Sequence, residues 1–358
     1  MAKYPKYQMV IDYVLDKIKS GDLKAGDKIP SESEFSQIMN ISNITVRKAM
    51  SELVNSGIIY RIKGKGSFVS DKFLQSGRNT NRLVTFMFSD IDVRDNAYIE
   101  LIISMQKYLM SQNFSLIVEC TDGDSQSEIS SIKNLLSKNV EGFIIYSKEP
   151  KNCIPSYKFL HDNNIPFVLV DRYTPLFPCN FVGSNDHDGA FAATHHLLKL
   201  NHTNIAFVGS HLSLSTEQER FAGYKDALAS MSLEVNPENC FPDYKVDLDR
   251  LVANTKKGGI TAFFAANDHC ALKVMNALYS EGIRVPDDVS IVGFGDSEVI
   301  KHSMIPLTTV KQFFDEIGYA SAKLLVQVIN NSSRFYDYAH LSLRTKLIIR
   351  DTTRKLSV

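Results

Sequence analysis

The first 55 residues place apolar side chains at the spacing of three short amphipathic helices. The first predicted helix covers residues 7–19, and Gly21 and Gly26 interrupt the pattern after it. Ser31 and Glu34 have the spacing of a capping box, which predicts the start of a second helix. In the third helix the apolar residues recur at positions i, i+3, i+4 and i+7, and they are Val46, Ala49, Met50 and Leu53.

The third predicted helix begins after Ser42, its candidate N-cap, and carries a polar and basic face. That face holds Asn43, Thr45, Arg47 and Lys48. The second and third predicted helices are joined by a tight turn, and the third exposes a polar and basic face near its start. This arrangement predicts a helix-turn-helix. A single helix fits the major groove, where its first side chains reach base edges and its backbone N–H groups face phosphate.

A predicted β-hairpin follows this helix. Two β-rich runs, residues 58–62 and 67–70, flank the sequence Lys63-Gly64-Lys65-Gly66. The glycines allow the backbone to approach a surface closely and the lysines supply positive charge, so the hairpin is interpreted as a wing that contacts DNA. Three simpler alternatives stay open: Arg47 in a surface ion pair, a merely solvated hairpin tip, and Ser42 as a helix cap alone.

The charge is distributed unevenly, although the 40 basic and 40 acidic residues of the 358-residue chain cancel. Residues 1–82 hold 14 Lys and Arg against 8 Asp and Glu, a net charge of +6, and the remainder carries −6. A basic front segment suggests a polyanionic partner. With 44% hydrophobic and 22% charged residues, the composition excludes a disordered chain, a collagen-like fibre and a disulfide scaffold.

From residue 83 onward, short apolar runs alternate with amphipathic helical stretches. This repetition predicts an α/β fold with parallel sheets covered on both faces, and its length favours two similar lobes. The predicted strands are residues 83–88, 115–119, 142–146, 166–170, 204–208, 261–265 and 289–292. The predicted helices include residues 98–112, 126–139, 188–200 and 268–281.

Polar side chains follow several of these predicted strands, where parallel sheets bind ligands. They are Asp90, Ser147, Asp171, Arg172, Asn267, Asp268 and Asp296. Arg220 is expected at the start of a further helix, and Tyr98 is a candidate for stacking on a sugar ring. A polyhydroxy ligand suits this set, because carboxylates accept hydrogen bonds from hydroxyl groups while Arg and Asn donate them. For Asp268 and Asp188, a simple helix cap is an equal alternative.

No metal or cofactor is predicted. The cluster Asn185-Asp186-His187-Asp188 lacks ligand spacing and is interpreted as a capped helix start. The five cysteines are scattered and form no C-x-x-C pair, which favours free thiols in a reducing cytosol. The N-terminus has no apolar signal segment and no stretch is long enough to span a membrane, so a cytoplasmic protein without a membrane partner is expected.

Residues 4–70 resemble the winged-helix domain of the GntR family of bacterial regulators. The resemblance rests on IPSE at residues 29–32, TVRKA at residues 45–49 and KGKGSFV at residues 63–69. It implies contacts to double-stranded DNA from Ser33, Ser42, Asn43, Thr45, Arg47, Lys63 and Gly64; Lys48 and Lys65 are added for their charge. The family often has a basic residue at position 33 and Arg at position 43.

Nearly all of residues 83–350 are similar to the effector domain of LacI/GalR-type repressors, which has the two-lobed periplasmic-binding-protein fold. The resemblance rests on QERFAGY at residues 218–224, on FFAANDHCALKVMNAL at residues 263–278, and on the segment from residue 283 to residue 312. It implies an effector pocket formed by Tyr98, Asp171, Arg172, Arg220, Asn267 and Asp296. This chain departs from the family at Gly295, where an Asp is usual.

The combination resembles the arabinose-responsive repressors, which implies a repressor that a small sugar, L-arabinose first, releases from its operator. The expected organisation is a DNA-binding domain at residues 1–70, a linker at 71–82 and a sugar-binding, dimerising domain at 83–358. Another pentose, a hexose or a glycoside remains an alternative effector, and activation an alternative outcome. An enzyme is not expected, since no G-x-G-x-x-G, P-loop or G-x-S-x-G motif is present. A transport protein is disfavoured by the winged helix.

Overall fold

The computed structural model describes residues 6–71, 82–89, 96–242, 247–330 and 338–356. The chain divides into two compact units, Met1–Asn81 and Arg82–Val358. Of the predicted linker, only its first and last residues lie within the described ranges. No helix of the described residues is long and apolar enough to cross a bilayer.

In the described part of the first unit, three helices surround one small core. They are α1 (Lys6–Lys19), α2 (Glu32–Met39) and α3 (Asn43–Asn55). The predicted capping box is present at the start of α2, where Glu34 N–H donates to Ser31 Oγ and Ser31 N–H donates to Glu34 Oε2. Asn40 ends α2 with φ of 51°, a left-handed conformation that Asn tolerates. The turn that follows brings the buried face of α3 onto Phe35 and Val10.

A two-stranded antiparallel sheet completes the first unit. Strand β1 (Ile59–Ile62) pairs with β2 (Gly66–Val69), and Ile59 lies opposite Val69. Lys65 N–H donates to Ile62 O across the tip, and Gly64 has φ of 80°, which favours glycine. The structure therefore contains the predicted hairpin after α3.

The second unit begins with a lobe built on a six-stranded parallel sheet, here called the N-lobe. Its order is β13-β7-β6-β5-β3-β4. The strands are β3 (Arg82–Ser89), β4 (Phe114–Thr121), β5 (Val140–Tyr146), β6 (Phe167–Val170), β7 (Asn180–Ser184) and β13 (His340–Leu343). The helices are α4 (Asn96–Ser111), α5 (Ser125–Leu136), α6 (Ile154–Asp162) and α11 (Phe314–Asn330).

The other lobe, the C-lobe, repeats this arrangement with sheet order β14-β12-β11-β10-β8-β9. Its strands are β8 (Ile205–Val208), β9 (Cys240–Phe241), β10 (Ala262–Ala265), β11 (Ser290–Gly295), β12 (Thr308–Lys311) and β14 (Lys346–Ile348). Only β14 runs antiparallel to its neighbour, β12. The helices are α7 (Asp186–Lys199), α8 (Ser215–Ala229), α9 (Leu248–Lys256) and α10 (Asp268–Ser280).

The chain passes between the two lobes three times. The crossovers run from β7 to α7, from β12 to α11, and from β13 to β14. Apolar clusters lie on both faces of each sheet, as predicted for a covered parallel sheet. The predicted α/β class with a winged helix and a two-lobed domain is confirmed, while β7, β9, β12, β13 and β14 were not anticipated individually.

Candidate functional site

Glu32 connects the three elements that carry the predicted DNA contacts. It lies in the first turn of α2, its Oε2 accepts from Arg47 Nε of α3 at 3.1 Å, and its Oε1 accepts from Arg61 of β1 at 2.7 Å. The alternative in which Arg47 forms a surface ion pair therefore holds in this structure. The Arg47 side chain is still 68% exposed. An exposed pair contributes about 0–1 kcal/mol, so a phosphate or base can replace Glu32 as its partner.

The start of α3 is a capped and open helix N-terminus. Ser42 Oγ accepts from Thr45 N–H at 3.4 Å and lies 2.8 Å from Thr45 Oγ1. Ser42 is therefore the N-cap of α3, as predicted. Asn43 is exposed beside it.

The remaining predicted contacts of this unit are exposed as well. Ser33 lies in the first turn of α2, 3.1 Å from Ser31 Oγ, and Lys63, Gly64 and Lys65 form the hairpin tip. The ammonium group of Lys48 lies over the ring of Tyr7, 4.4 Å from its centroid. The structure thus presents polar side chains at the starts of α2 and α3, with Glu32 and Glu34 in the first turn of α2, and basic side chains at Arg47, Lys48 and the wing tip.

In the second unit, a cavity of about 260 Å³ opens between the lobes at the carboxyl ends of their strands. Polar side chains from both lobes form most of its wall. The N-lobe contributes Ala97, Glu100, Tyr146, Asp171, Arg172 and Phe314 to the whole lining, and the crossover contributes Gln312. The C-lobe contributes Thr216, Arg220, Asn267, Asp268, His269, Phe294, Gly295, Asp296, Ser297, Glu298 and Lys311.

Arg220 forms the floor of this cavity. Its Nε and Nη2 lie 2.8 and 2.7 Å from Asp186 Oδ1, and its Nη1 donates to Ala266 O at 2.7 Å. The guanidinium lies 3.8 Å from the centroid of the Phe294 ring. Arg220 is the sixth residue of α8 and does not start it as predicted, because α8 begins at Ser215. Burial raises the pKa of Asp186 to about 7 against the opposing effect of Arg220.

Arg172 has an unused donor. Its Nη1 donates to Lys148 O at 2.8 Å, and its Nε lies 3.6 Å from Asp171 Oδ2. Within the described residues, this buried Nε has no hydrogen-bond acceptor. Because an unpaired buried donor is costly, a ligand oxygen at this point would be stabilised by Arg172.

Asn267 and Asp268 are partly committed to the protein. Asn267 Oδ1 caps α10 by accepting from Cys270 N–H at 2.8 Å. Asp268 Oδ1 accepts from Thr309 Oγ1 at 2.6 Å, and its Oδ2 accepts from Ser297 N–H at 2.8 Å. Burial raises the pKa of Asp268. Both residues line the cavity, so they shape it as well as offering polar atoms.

Asp296 directly follows β11 and accepts from Arg350 Nη2 at 2.6 Å. It has φ of 54°, and Asp171 after β6 has φ of 66°, so the backbone takes a left-handed conformation directly after each strand. Gly295 has φ of 133°, and a Cβ there would lie 3.2 Å from Asp268 Oδ2. The position where the LacI/GalR-type domains usually carry Asp is therefore closed to a side chain unless Asp268 moves.

Three predicted pocket residues are not among the described residues that line the cavity. Asp90 lies outside the described residues. The ring of Tyr98 contacts Tyr146, with 5.1 Å between centroids, and does not itself line the cavity. Ser147 turns the other way, into the core, where it accepts from Tyr157 at 2.7 Å and donates to Glu128 at 3.2 Å. The prediction for Ser147 failed because position after a strand does not specify the face.

Sequence reasoning missed Gln312, which joins the two sides of the cavity. Its Oε1 accepts from Arg220 Nη2 at 3.3 Å, and its Nε2 donates to Ser184 Oγ at 2.9 Å and approaches Asp171 Oδ1 at 3.5 Å. Gln312 directly follows β12, so the rule of polar residues after strands would have found it if that strand had been predicted.

Among the described residues, no group of three or more His, Cys, Asp and Glu could hold a metal ion. The Asn185–Asp188 segment is a capped helix start, as interpreted, since Asn185 Oδ1 accepts from Asp188 N–H at 3.1 Å.

Comparisons with known proteins match both units. Residues 6–69 match the family model described as bacterial regulatory proteins of the gntR family. Residues 194–353 match that of a periplasmic binding protein-like domain.

Relatives align over most of the chain. An "Arabinose metabolism transcriptional repressor" of Geobacillus stearothermophilus is 28% identical over 98% of this chain and 98% of its own. The structure of a LacI family regulator from Enterococcus faecium with bound ribose covers 76% of this chain and 100% of its own, with 25% identity and a TM-score of 0.62. That of a "transcriptional regulator CelR-cellobiose complex" covers 90% and 100%, with 21% identity and a TM-score of 0.66, and shows a shared fold.

These relatives are transcriptional regulators and not enzymes, as the absence of catalytic motifs predicted. The chain thus contains one segment that matches the gntR family of bacterial regulatory proteins and one that matches a periplasmic binding protein-like domain, and over nearly its full length it is similar to an arabinose metabolism transcriptional repressor.

Proposed function

We propose that this protein is a cytoplasmic repressor that binds a palindromic operator as a homodimer and releases it when a neutral monosaccharide, L-arabinose first, enters the cleft of the second unit. The observation that carries the effector proposal is Arg172, which lines the cleft and whose buried Nε has no acceptor within the described residues. The DNA proposal rests on the exposed cap, helix face and wing of the first unit.

The balance of charge in the cleft favours a neutral ligand over an anion. Arg220 is neutralised by Asp186, and Arg172 by Asp171. Further carboxylates line the wall at Glu100, Asp268, Asp296 and Glu298. A sugar acid or phosphate would meet these carboxylates, against which Lys311 is the one further Lys or Arg in the described wall. Sugar hydroxyl groups instead donate to the acids and accept from the arginines.

The cavity volume favours a single sugar ring. Its volume of about 260 Å³ lies just below the range of roughly 300–1,000 Å³ that is typical of pockets for drug-sized ligands. The relatives with bound sugars, ribose in one case and cellobiose in another, show that this fold accepts carbohydrates. L-arabinose is preferred over other pentoses because the full-length relative carries arabinose in its name.

Dimerisation is supported by an exposed apolar face of α4. Ile99, Ile103 and Met110 are 50%, 47% and 65% exposed at helical spacing, and Tyr319 of α11 is 47% exposed. Val118 of β4, the edge strand of the N-lobe, is 44% exposed as well. Contiguous exposed apolar surface of this kind marks an interface, and a second copy with two-fold symmetry would also place two DNA-binding domains on a palindrome.

The experiment has two measurements. A thermal-shift screen of pentoses, hexoses, glycosides and sugar acids should show stabilisation of the second unit by L-arabinose and none by sugar acids. Gel shifts with the DNA upstream of the gene should show a protein–DNA complex that dissociates when the same sugar is added. Arg47→Ala should weaken this complex by about 1–3 kcal/mol without changing the thermal shift. A protein that binds no duplex at low salt, or no sugar, would contradict the proposal.

A further inference from the structure

Ile44 is an apolar residue in a polar surface. It is the second residue of α3, and its side chain is 82% exposed. The apolar contacts of the first unit come from the opposite face of this helix, where Val46, Ala49 and Met50 are fully buried. Ile44 therefore contributes nothing to the core of the described first unit.

The helical period places Ile44 on the outward face. Val46 follows it by two residues, about 200° around the helix, and Arg47 follows by three, which puts Ile44 and Arg47 side by side. The hydroxyl groups of Ser42 and Thr45 face each other at 2.8 Å. The side chains that the first turn offers to a groove are consequently Asn43, which is polar, and Ile44, which is apolar.

An isoleucine is unfavourable at this position in the free protein. A β-branched side chain is a weaker helix former than Lys, Glu or Gln. An apolar side chain that stays exposed to water also contributes no favourable free energy of burial. Along the major groove the edges of the bases are polar, with one exception: the 5-methyl group of thymine is apolar and is read by apolar side chains. An exposed apolar side chain beside Asn43 and Arg47 matches that group.

We infer that Ile44 is a specificity-determining residue that selects thymine by packing against its 5-methyl group in each operator half-site. This inference rests on the proposed DNA-binding function. Neither Asn43 nor Arg47 can supply this contact, because both carry polar groups suited to hydrogen bonds. A docking surface for another protein is the competing explanation of an exposed isoleucine, and the test separates the two.

The test removes the methyl group from the DNA. A duplex is first enriched with the full-length protein from a random pool of about 30 base pairs, long enough for two half-sites. Each thymine of a half-site is then replaced by deoxyuridine, which lacks only the methyl group. At the one thymine that Ile44 contacts, the replacement should lower the affinity measured by fluorescence titration about fourfold for each half-site. This is the effect expected when one methyl group is no longer buried.

The variants assign this loss to the side chain. Ile44→Ala should bind the thymine duplex more weakly than the wild type and should bind the thymine and deoxyuridine duplexes equally. Ile44→Val should retain most of the difference. Ile38→Ala removes another isoleucine, 58% exposed at the far end of α2, and should retain the full wild-type ratio. Circular dichroism on each variant checks that the helices are intact.

Two results would overturn the inference while leaving the proposed function standing: a wild type that is insensitive to deoxyuridine at every thymine, or an Ile44→Ala variant that keeps the wild-type ratio. The latter would favour the protein-docking explanation. Failure to enrich any duplex is a different result, since it would overturn the DNA-binding function itself and this inference with it.

Discussion

At the residue scale, the cleft depends on buried charges that stabilise each other. Arg220 and Asp186 are both almost fully buried, and each is the nearest opposite charge of the other. Such a pair adds little net stability, but loss of one member leaves the other charge uncompensated.

Arg220→Ala should therefore lower the free energy of unfolding of the second unit by about 3–5 kcal/mol. The double variant Arg220→Met with Asp186→Leu should regain most of this loss while abolishing the sugar response. Denaturant unfolding of each protein provides the measurement. A single variant as stable as the wild type would show that Asp186 does not depend on Arg220.

Glu128 is a second buried carboxyl group with an unusual environment. It is 1% exposed, and its Oε2 has no hydrogen-bond partner within the described residues. Burial raises the pKa of Glu128. Because the folded state then holds the proton more tightly than the unfolded state, its stabilising contribution is present in acid and is lost as the pH rises through the raised pKa.

Glu128→Gln mimics the protonated acid and should remove this loss. We expect the variant to be more stable than the wild type by about 1 kcal/mol at slightly alkaline pH, with the difference vanishing near the ordinary pKa of Glu, about 4.3. Thermal unfolding across this pH range is the measurement. Glu234→Gln, at an exposed position, is the control and should show no such pH dependence.

The sequence predicted those site residues whose position is decided by their neighbours in the chain. Asp171, Asn267 and Asp296 were predicted because a polar residue after a buried strand necessarily reaches the edge of the sheet. Ser147 failed because its direction is decided by Glu128 and Tyr157, which are distant in sequence. Gln312 was missed because its strand was not recognised.

At the element scale, the winged helix was predictable nearly to the residue. Its helices begin at strong caps, Ser31 and Ser42, and their apolar faces follow one period. Strands β7, β12, β13 and β14 were not predicted, since they are three to five residues long and show no clean alternation. Their pairing is decided by neighbouring strands far away in the chain.

The wing offers a prediction at this scale. If Lys63 and Lys65 contact phosphate, the double variant Lys63→Ala/Lys65→Ala should bind DNA more weakly, and the slope of log affinity against log salt should become shallower by about 0.9 for each lysine. Anisotropy titrations between low and physiological salt measure this slope. Lys138→Ala, an exposed lysine of the second unit, is the control. An unchanged slope would show that Lys63 and Lys65 do not contact phosphate and that the wing remains in solvent.

At the scale of the whole molecule, the proposed dimer depends on the apolar face of α4. Ile103→Glu should give a monomer of 40.2 kDa in sedimentation, because a charge at the centre of an apolar interface loses its hydration. The monomeric Ile103→Glu variant should also bind operator DNA more weakly than the wild type. Met304→Glu changes a side chain that is 93% exposed elsewhere and should leave the assembly intact. A monomeric wild type, or a dimeric Ile103→Glu variant, would reject this interface.

The three crossovers between the lobes limit what a bound sugar can do. We expect the three peptide connections to restrict sliding and twisting of the lobes and to leave a change of opening angle as the main motion. Every compound that fits the cleft, agonist or antagonist, then acts on that one coordinate. Ligands of this protein should therefore be ordered by the opening angle between the lobes that each one stabilises. Their effect on operator binding should follow the same order.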